Sequence, residues 1–292
     1  MVDSCAARTF RALASVTALA LATAYSASAS ADRQVRGAYA EVNGIRLYYE
    51  IHGLAHGTPL VLLHGGGSTI DVTFGRILPS FGRNRRVIAV EEQAHGRSSD
   101  RNAPLSFENS ADDVAALLEH LNVRQADLFG FSNGASIALQ VAIRHPQMAR
   151  KLVFASAMTR KDGAHPQVWD FMRSADISNM PQALKDAFLK VNPDPVKLKT
   201  MHDKDADRMR NFKDVPDADV RSIRAPTLIL IGDRDVVKPE HAVELTHLIP
   251  NSRLLVLVGG HGDYLGEASI TQQASRAPER TAELIGEFLD AP

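Results

Sequence analysis

The amino-acid sequence predicts an α/β protein with a mostly parallel sheet, flanking helices and an inserted helical cap. Two observations carry this prediction. Short runs rich in Val, Ile and Leu alternate with stretches whose apolar residues recur at helical spacing, which is typical of a parallel sheet covered on both faces. This alternation stops at residue 157 and resumes after residue 224, which indicates an insertion between two strands of the same sheet.

The first predicted strands form a hairpin and the later ones are buried. Residues 38–51 alternate between apolar and polar side chains and are interrupted by Asn43-Gly44, a favoured two-residue turn. The later strands are continuous apolar runs, as expected for strands buried on both faces. They are predicted at residues 60–64, 86–91, 126–131, 151–156, 226–231 and 253–258, and helices at residues 72–82, 107–121, 133–145, 239–249 and 278–290.

The inserted segment, residues 157–224, is highly charged but carries apolar side chains at spacings that fit amphipathic helices, such as Trp169 with Met172. We expect it to form a lid over the carboxyl ends of the strands, where ligands bind in such sheets. Most of its apolar residues should form the lid's own core. The predicted α/β core therefore comprises residues 32–156 and 225–292.

Residues 1–31 have the features of a secretory signal peptide. Two arginines precede an apolar run at residues 12–24, and small residues follow with predicted cleavage after Ala29 or Ala31. An uncleaved membrane anchor is the less favoured alternative, because the run is shorter than the roughly 20 apolar residues that span a bilayer. The protein is therefore expected to be exported and to be periplasmic or secreted.

Charge and cysteine content restrict the partners and the chemistry. The formal net charge of −1 argues against nucleic acid or an anionic membrane as a partner of the mature protein, because either requires a basic face. The single cysteine, Cys5, lies in the predicted leader, so the mature chain should contain no disulfide. Neither histidine nor cysteine spacing indicates a metal site, and no cofactor is expected.

A Gly-x-Ser-x-Gly motif runs from Gly130 to Gly134 with Ser132 at its centre. It joins a predicted strand to a predicted helix, and in this context the motif is typical of a nucleophile elbow. The small residues are required because side chains at positions 130 and 134 would collide with the neighbouring strand or helix. An ordinary Gly/Ser turn is the alternative interpretation.

A serine nucleophile needs a base, and the base needs a carboxylate to orient it. His261 is the favoured base because it lies in a glycine-rich loop directly after the last predicted strand. His165 and His202, in the inserted segment, remain open as alternatives. Asp235 is favoured over Asp233 as the carboxylate because it is better placed to reach the next loop, whereas Asp233 is expected to cap the turn.

Gly66 and Asn133 are the predicted donors to an oxyanion. The run His64-Gly65-Gly66-Gly67 follows the first predicted parallel strand, and its glycines would let the backbone approach a bound ester. The N–H of Gly66, or alternatively that of Gly67, would act together with the N–H of Asn133. A phosphate-binding loop is disfavoured because the lysine of that motif is absent.

Taken together, these segments resemble the α/β-hydrolase fold superfamily over about residues 38–290, nearest to its cap-bearing esterase, enol-lactonase and C–C-bond hydrolase group. By this resemblance, Ser132, Asp235 and His261 correspond to the catalytic triad, and residues 157–224 to the helical cap. The sequence departs from the common pattern at Ala94, where relatives commonly have glycine. The segments that carry the resemblance are His64 to Gly67, Glu92 to Ser98, Gly130 to Gly134, Gly232 to Asp235, and Gly260 with His261.

The resemblance implies a serine hydrolase that cleaves a small to medium, largely uncharged carboxylic ester or lactone through an acyl-enzyme. Serine instead of aspartate at position 132 argues against epoxide hydrolases and haloalkane dehalogenases. The open alternatives are a perhydrolase or cofactor-free haloperoxidase, a C–C-bond hydrolase acting on vinylogous diketones, and, least favoured, a non-catalytic ligand-binding member. Expected substrate-binding residues are Gly67, Ser68, Met158, Trp169, Met172, Phe188 and Val237.

Overall fold

The structure is a computed structural model that describes residues 36–269 and 275–292. The predicted signal peptide at residues 1–31 lies outside the described residues, so the predictions of cleavage and export concern a part of the chain about which the structure says nothing. The inserted segment and all the predicted site residues lie within the described ranges, and so does the predicted core except for residues 32–35 and 270–274.

Within the described residues, eight strands form one sheet, and the predicted fold class is confirmed. The sheet order is β1-β2-β4-β3-β5-β6-β7-β8. The pairs β1–β2 and β2–β4 are antiparallel, and every other neighbouring pair is parallel. The strands are β1 (Arg36–Val42), β2 (Ile45–Gly53), β3 (Leu60–Leu63), β4 (Arg86–Val90), β5 (Ala126–Phe131), β6 (Ala149–Ala155), β7 (Thr227–Gly232) and β8 (Ser252–Leu257).

The predicted hairpin is present and turns where the sequence predicts. Asn43 and Gly44 have φ values of 48° and 80°, which a type I′ turn between β1 and β2 requires at both central positions. The register pairs Val42 with Ile45 directly across this turn. The hairpin therefore adds two antiparallel strands to one edge of the parallel sheet.

Helices cover both faces of the sheet. The predicted helix at residues 72–82 is instead two short helices, because Pro79 has no N–H to donate to the carbonyl of Gly75. No helix in the described ranges is long and apolar enough to cross a membrane. The helices of the α/β core are α1 (Ile70–Phe74), α2 (Leu78–Gly82), α3 (Phe107–His120), α4 (Asn133–Arg144), α9 (Pro239–Leu248) and α10 (Ala277–Asp290).

Two apolar clusters lie on the opposite faces of the sheet. One is built from α3, α4 and α9 packed on the strands, and the other from α1, α2 and α10. The side chains of β3, β5 and β7 are buried along the whole of each strand. Continuous apolar sequences are therefore explained by burial on both faces. This core holds the carboxyl ends of the strands, and the loops that follow them, in fixed relative positions.

The inserted segment leaves the sheet after β6 and returns at β7, which is the adjacent strand. It contains four α-helices: α5 (Pro166–Arg173), α6 (Gln182–Val191), α7 (Pro195–Arg210) and α8 (Asp217–Arg221). Part of it has an apolar cluster of its own, in which Met180, Phe188, Leu198 and Met201 are buried together with Ala94 of the core. The segment thus packs over the carboxyl ends of the strands as a separate helical layer, which we call the cap.

Candidate active site

Ser132 lies on a sharp turn between β5 and α4. Its backbone has φ 55° and ψ −123°, a conformation that a non-glycine residue adopts only under strain. A Cβ at position 130 would lie 2.1 Å from the carbonyl oxygen of Gly134, and one at position 134 would lie 2.0 Å from the carbonyl oxygen of Leu63. Only glycine fits at either position, and the turn therefore holds the Ser132 side chain at the carboxyl end of the sheet.

The structure brings Ser132, His261 and Asp235 together. The Nε2 atom of His261 lies 3.1 Å from Oγ of Ser132, and its Nδ1 atom lies 2.7 Å from Oδ1 of Asp235. Because an ionised carboxylate only accepts hydrogen bonds, Nδ1 carries the proton and Nε2 is free to accept one from the serine hydroxyl. This arrangement can deprotonate an alcohol.

Asp235 is kept ionised by its hydrogen bonds. Burial alone would raise the pKa of this carboxyl group, but the bonds from His261, Ser156 and the Gly232 N–H outweigh burial and hold its pKa below the usual range. The neighbouring Asp233 has a different role, because it accepts a hydrogen bond from the Gly259 N–H at 2.7 Å and joins the loops after β7 and β8.

Two residues that hold Asp235 in position were not identified from the sequence. Oγ of Ser156 donates a hydrogen bond to Oδ2 of Asp235, and the hydroxyl of Tyr264 lies 2.5 Å from the same Oγ. Because the Ser156 hydroxyl donates its only proton to the carboxylate, the Tyr264 hydroxyl is the donor in its hydrogen bond with Ser156. The only sequence signals were the position of Ser156 at the end of β6, next to β7, and that of Tyr264 three residues after His261.

The predicted oxyanion donors are the backbone N–H groups of Gly66 and Asn133, whereas the N–H groups on either side of Gly66 have other partners. Gly65 donates to Oγ1 of Thr73 at 3.3 Å, and Gly67 donates to Nε2 of His95 at 3.2 Å. No hydrogen bond within the described ranges engages the N–H of Gly66 or that of Asn133, the first residue of α4. Of the two open alternatives, the engagement of Gly67 by His95 therefore favours Gly66.

A buried polar network ties the cap to this site. The side-chain amide of Asn133 donates to Oδ1 of Asp205 on α7 at 3.0 Å, and Arg208, one turn along α7, donates to the same Oδ1. Arg208 also bonds both carboxylate oxygens of Glu92, in the loop after β4. Burial would raise the pKa of Glu92, but the adjacent guanidinium lowers it to about 2.

A cavity of about 640 Å³ lies between the cap and Ser132. Its wall includes Ser132, His261, Asp235, and both predicted oxyanion residues. Four of the seven predicted substrate-binding residues line it, namely Gly67, Met158, Met172 and Val237. The rest of the wall is mostly apolar and comes largely from the cap, including Ala164, Val168, Phe171, Ala175, Met180, Leu184, Ala206, Met209 and Phe212.

Three predicted substrate-binding residues do not line the cavity. Ser68 is buried and its hydroxyl bonds Oγ1 of Thr73. Trp169 packs against Phe212, and its indole N–H donates to the carbonyl of Lys161. Phe188 is fully buried in the cap's own core. Each of these three side chains therefore contacts other protein groups and does not face the cavity.

His165 and His202, the open alternatives for the base, both line the cavity. Neither forms a hydrogen bond with Ser132, whereas His261 does. Nδ1 of His202 instead lies 3.0 Å from Oδ1 of Asp203. In the part of the chain that the structure describes, no group of three or more His, Cys, Asp or Glu residues is arranged to hold a metal ion.

The chain is similar to known hydrolases. A family model described as "alpha/beta hydrolase fold" matches residues 58–193. Serine hydrolase BPHL from Mus musculus is 28% identical over 238 residues, which are 77% of this chain and 80% of the relative. A 2-hydroxymuconate semialdehyde hydrolase from Pseudomonas sp. (strain CF600) is 36% identical over 114 residues, which are 38% of this chain and 39% of the relative.

A solved structure has the same fold. The enol-lactonase from Burkholderia xenovorans LB400 matches with a TM-score of 0.68 at 22% identity, covering 87% of this chain and 100% of that chain. Coverage of the curated relatives is less complete, since the chain spans 58% and 39% of the length of the first two that it matches.

Proposed function

We propose that the chain is a member of the α/β-hydrolase fold superfamily and a serine hydrolase that cleaves a small to medium carboxylic ester or lactone. The observation that carries this proposal is the hydrogen-bonded series from Ser132 through His261 to Asp235, which opens into the cavity under the cap. An alcohol next to a neutral imidazole that a carboxylate orients is the arrangement that acyl transfer to serine requires.

In the proposed mechanism Oγ of Ser132 attacks the carbonyl carbon while Nε2 of His261 takes the hydroxyl proton. The tetrahedral intermediate collapses when the same Nε2 returns this proton to the leaving alkoxide, which departs as an alcohol from an ester and remains attached to the acyl group as a hydroxyl when the substrate is a lactone. Water then attacks the acyl-enzyme with His261 again as the base, releases the carboxylic acid and restores Ser132. Asp235 keeps the imidazole in the required tautomer and stabilises the imidazolium that forms.

The N–H groups of Gly66 and Asn133 would bind the oxyanion. Both border the cavity, and Asn133 begins α4, so the positive end of the helix dipole is directed at the developing charge. One such donor typically contributes about 10²–10³ in turnover. The mechanism uses no metal and no cofactor.

A hydrolase that breaks the C–C bond of a vinylogous diketone is the second candidate. The similarity to a 2-hydroxymuconate semialdehyde hydrolase favours it. The two reactions differ in the leaving group, which is an alkoxide for an ester and a carbanion for a diketone. Comparative turnover of the two substrate classes therefore decides between them.

The test is a panel of short-chain chromogenic esters, lactones, amides and vinylogous diketones, with and without hydrogen peroxide and bromide. We expect the highest kcat/KM for an ester or a lactone, together with covalent labelling of Ser132 by a fluorophosphonate. Peroxide-dependent bromination well above the hydrolysis rate would instead indicate a perhydrolase. Absence of both turnover and labelling would contradict any catalytic role for Ser132.

We also propose that the protein is exported after removal of residues 1–31. The supporting pattern is the basic start, the short apolar run and the small residues before the predicted cleavage position. Sequencing the N-terminus of the mature protein expressed in a bacterium tests this proposal. A mature chain that begins at residue 30 or 32 is expected, and recovery of the uncut chain from the cytoplasm would contradict it.

A further inference from the structure

One carboxylate on the cavity wall takes no part in the proposed mechanism. Asp205, on cap helix α7, lines the cavity together with Ser132 and His261. Its Oδ1 atom accepts hydrogen bonds from Asn133 and Arg208. Its Oδ2 atom accepts no hydrogen bond from residues 36–269 or 275–292. This atom is not one of the fully buried polar atoms without a partner, so it is accessible from the cavity.

This free oxygen lies next to the expected oxyanion position. A Cβ at position 66 would be 2.4 Å from Oδ2 of Asp205 and equally close to the side-chain nitrogen of Asn133. Asp205 is thus adjacent to the two residues whose N–H groups are proposed to bind the substrate carbonyl oxygen. A substrate held with its carbonyl at Gly66 would place its neighbouring atoms within reach of Oδ2.

The charges around Asp205 do not cancel. Two carboxylates, Asp205 and Glu92, surround the single guanidinium of Arg208, and the Arg208 side chain is 2% exposed. The excess negative charge lies in a poorly solvated region, where Coulomb interactions are stronger than in water. With a neutral substrate, the negative oxyanion would develop beside this carboxylate, which is unfavourable. A positive charge on the substrate at Oδ2 would offset that repulsion.

We infer that Asp205 is a specificity-determining residue that selects substrates carrying a protonated amine within a few bonds of the scissile carbonyl, and that excludes those carrying a carboxylate there. This inference rests on the proposed hydrolase function and narrows its substrate class. It departs from the largely uncharged substrate that the resemblance implied. The apolar cap side of the cavity receives the remainder of the substrate.

Three benzyl esters of nearly equal shape test the inference: those of β-alanine, butanoic acid and succinic acid, with an ammonium, a methyl and a carboxylate at the same position. A parallel set with the charge on the alcohol side compares 2-aminoethyl with propyl phenylacetate. A charge-assisted hydrogen bond should raise kcat/KM for the ammonium ester in at least one set by about tenfold or more over its neutral counterpart. The succinate ester should be the poorest of its set.

Asp205→Asn should reduce the ammonium-to-neutral ratio of kcat/KM to near one. The matched control is Asp207→Asn, which removes the same charge from the exposed side of α7, where Asp207 pairs with Arg210, and should keep the wild-type ratio. Equal kcat/KM for charged and neutral esters in both sets of the wild-type protein would overturn the inference while leaving the hydrolase function intact.

Binding of benzylammonium provides a readout that depends neither on turnover nor on a folded variant. Calorimetry on the wild-type protein should show benzylammonium binding at least about tenfold more tightly than benzyl alcohol, and benzoate binding more weakly than either. If no ester is hydrolysed, the proposed function fails, and this measurement still tests whether the cavity prefers a cation over a neutral ligand. Equal affinities for the cation and the alcohol would refute the inference.

Discussion

Ser156 at the end of β6 donates a hydrogen bond to the carboxylate of Asp235 in the loop after the neighbouring strand β7. The backbone of Ser156 has φ 51°, and its N–H donates to the carbonyl of Leu230 within β7 at 2.8 Å. The Tyr264 hydroxyl donates to Ser156 from the loop that also carries His261. Asp235 is therefore fixed from two adjacent loops.

Tyr264→Phe should slow turnover through Asp235 and not through substrate binding. The variant removes a buried hydroxyl and leaves the Ser156 side chain with one partner fewer. We expect kcat to fall by about 3- to 10-fold with KM little changed, on the scale of one neutral hydrogen bond. Steady-state kinetics on a chromogenic ester measure both constants. A change confined to KM would contradict a positioning role.

Ser132→Ala should lower turnover of the same ester by about 10⁴ or more, since it removes the nucleophile and leaves only binding and oxyanion stabilisation. The matched control is Ser174→Ala, because this serine of the cap lies outside the cavity. Like most surface substitutions it should have little effect, and kcat should stay within about twofold of wild type. Retention of most activity by Ser132→Ala would remove the proposed mechanism.

Gly134→Ala should both destabilise the protein and abolish most activity. Its Cβ would lie 2.0 Å from a backbone oxygen of β3, which cannot move without shifting the sheet, so we expect a loss of about 1–3 kcal/mol in the free energy of unfolding. Gly286→Ala in α10 is the control, because its Cβ meets nothing closer than 3.6 Å. It should stabilise the protein by about 0.5–1 kcal/mol, as in other helices. Urea titration measures the free energy of unfolding of the two variants, and equal changes in both would contradict the steric argument.

Two adjacent glutamates should make stability depend on pH with opposite signs. Burial raises the pKa of Glu91 to about 7, despite its hydrogen bonds from Arg97, whereas Arg208 lowers that of Glu92 to about 2. The unfolded value is about 4.5 for both. The stability from Glu91 is thus complete below pH 4.5 and lost as the pH rises toward 7. The stability from Glu92 is present above pH 4.5 and lost as the pH falls toward 2.

Glu91→Gln should flatten the pH dependence of the unfolding free energy between 4.5 and 7, and Glu92→Gln the dependence between 4.5 and 2. Each proton can contribute at most about 1.4 kcal/mol per pH unit. Each variant is the control for the other, because the substitutions are identical and occupy neighbouring positions. Denaturant titrations at a series of pH values measure the slopes, and two variants with the same pH profile would contradict the assignment.

The sequence predicted the features that are local or that lie at the ends of strands. Gly130 and Gly134 mark the turn at Ser132, and a buried strand directly precedes the loops of Asp235 and His261, so parallel topology alone places these loops at one edge of the sheet. The predicted strand bounds differ from those observed by at most two residues.

The cap side chains and the supporting residues were not predictable in the same way. Helical periodicity marks Met172 and Phe188 equally, but only the packing of helices against each other decides that Met172 faces the cavity and Phe188 the cap core. Ser156, Tyr264 and Asp205 act through contacts with residues 70 or more positions away. No spacing within the chain records such contacts.

The departure at Ala94 has a structural explanation. Its φ is 65°, in the region where glycine is favoured, and its side chain packs in the apolar cluster of the cap. Alanine at this position therefore accepts backbone strain in exchange for a contact between the core and the cap.

The cap begins and ends on neighbouring strands, β6 and β7, so the two points at which it joins the sheet lie side by side. A replacement of different length or helix count could be grafted there without altering the register of any strand. Diversification of this scaffold toward new substrates can proceed by exchanging that single loop-like unit, while Ser132 and His261 stay on elements that the graft does not touch.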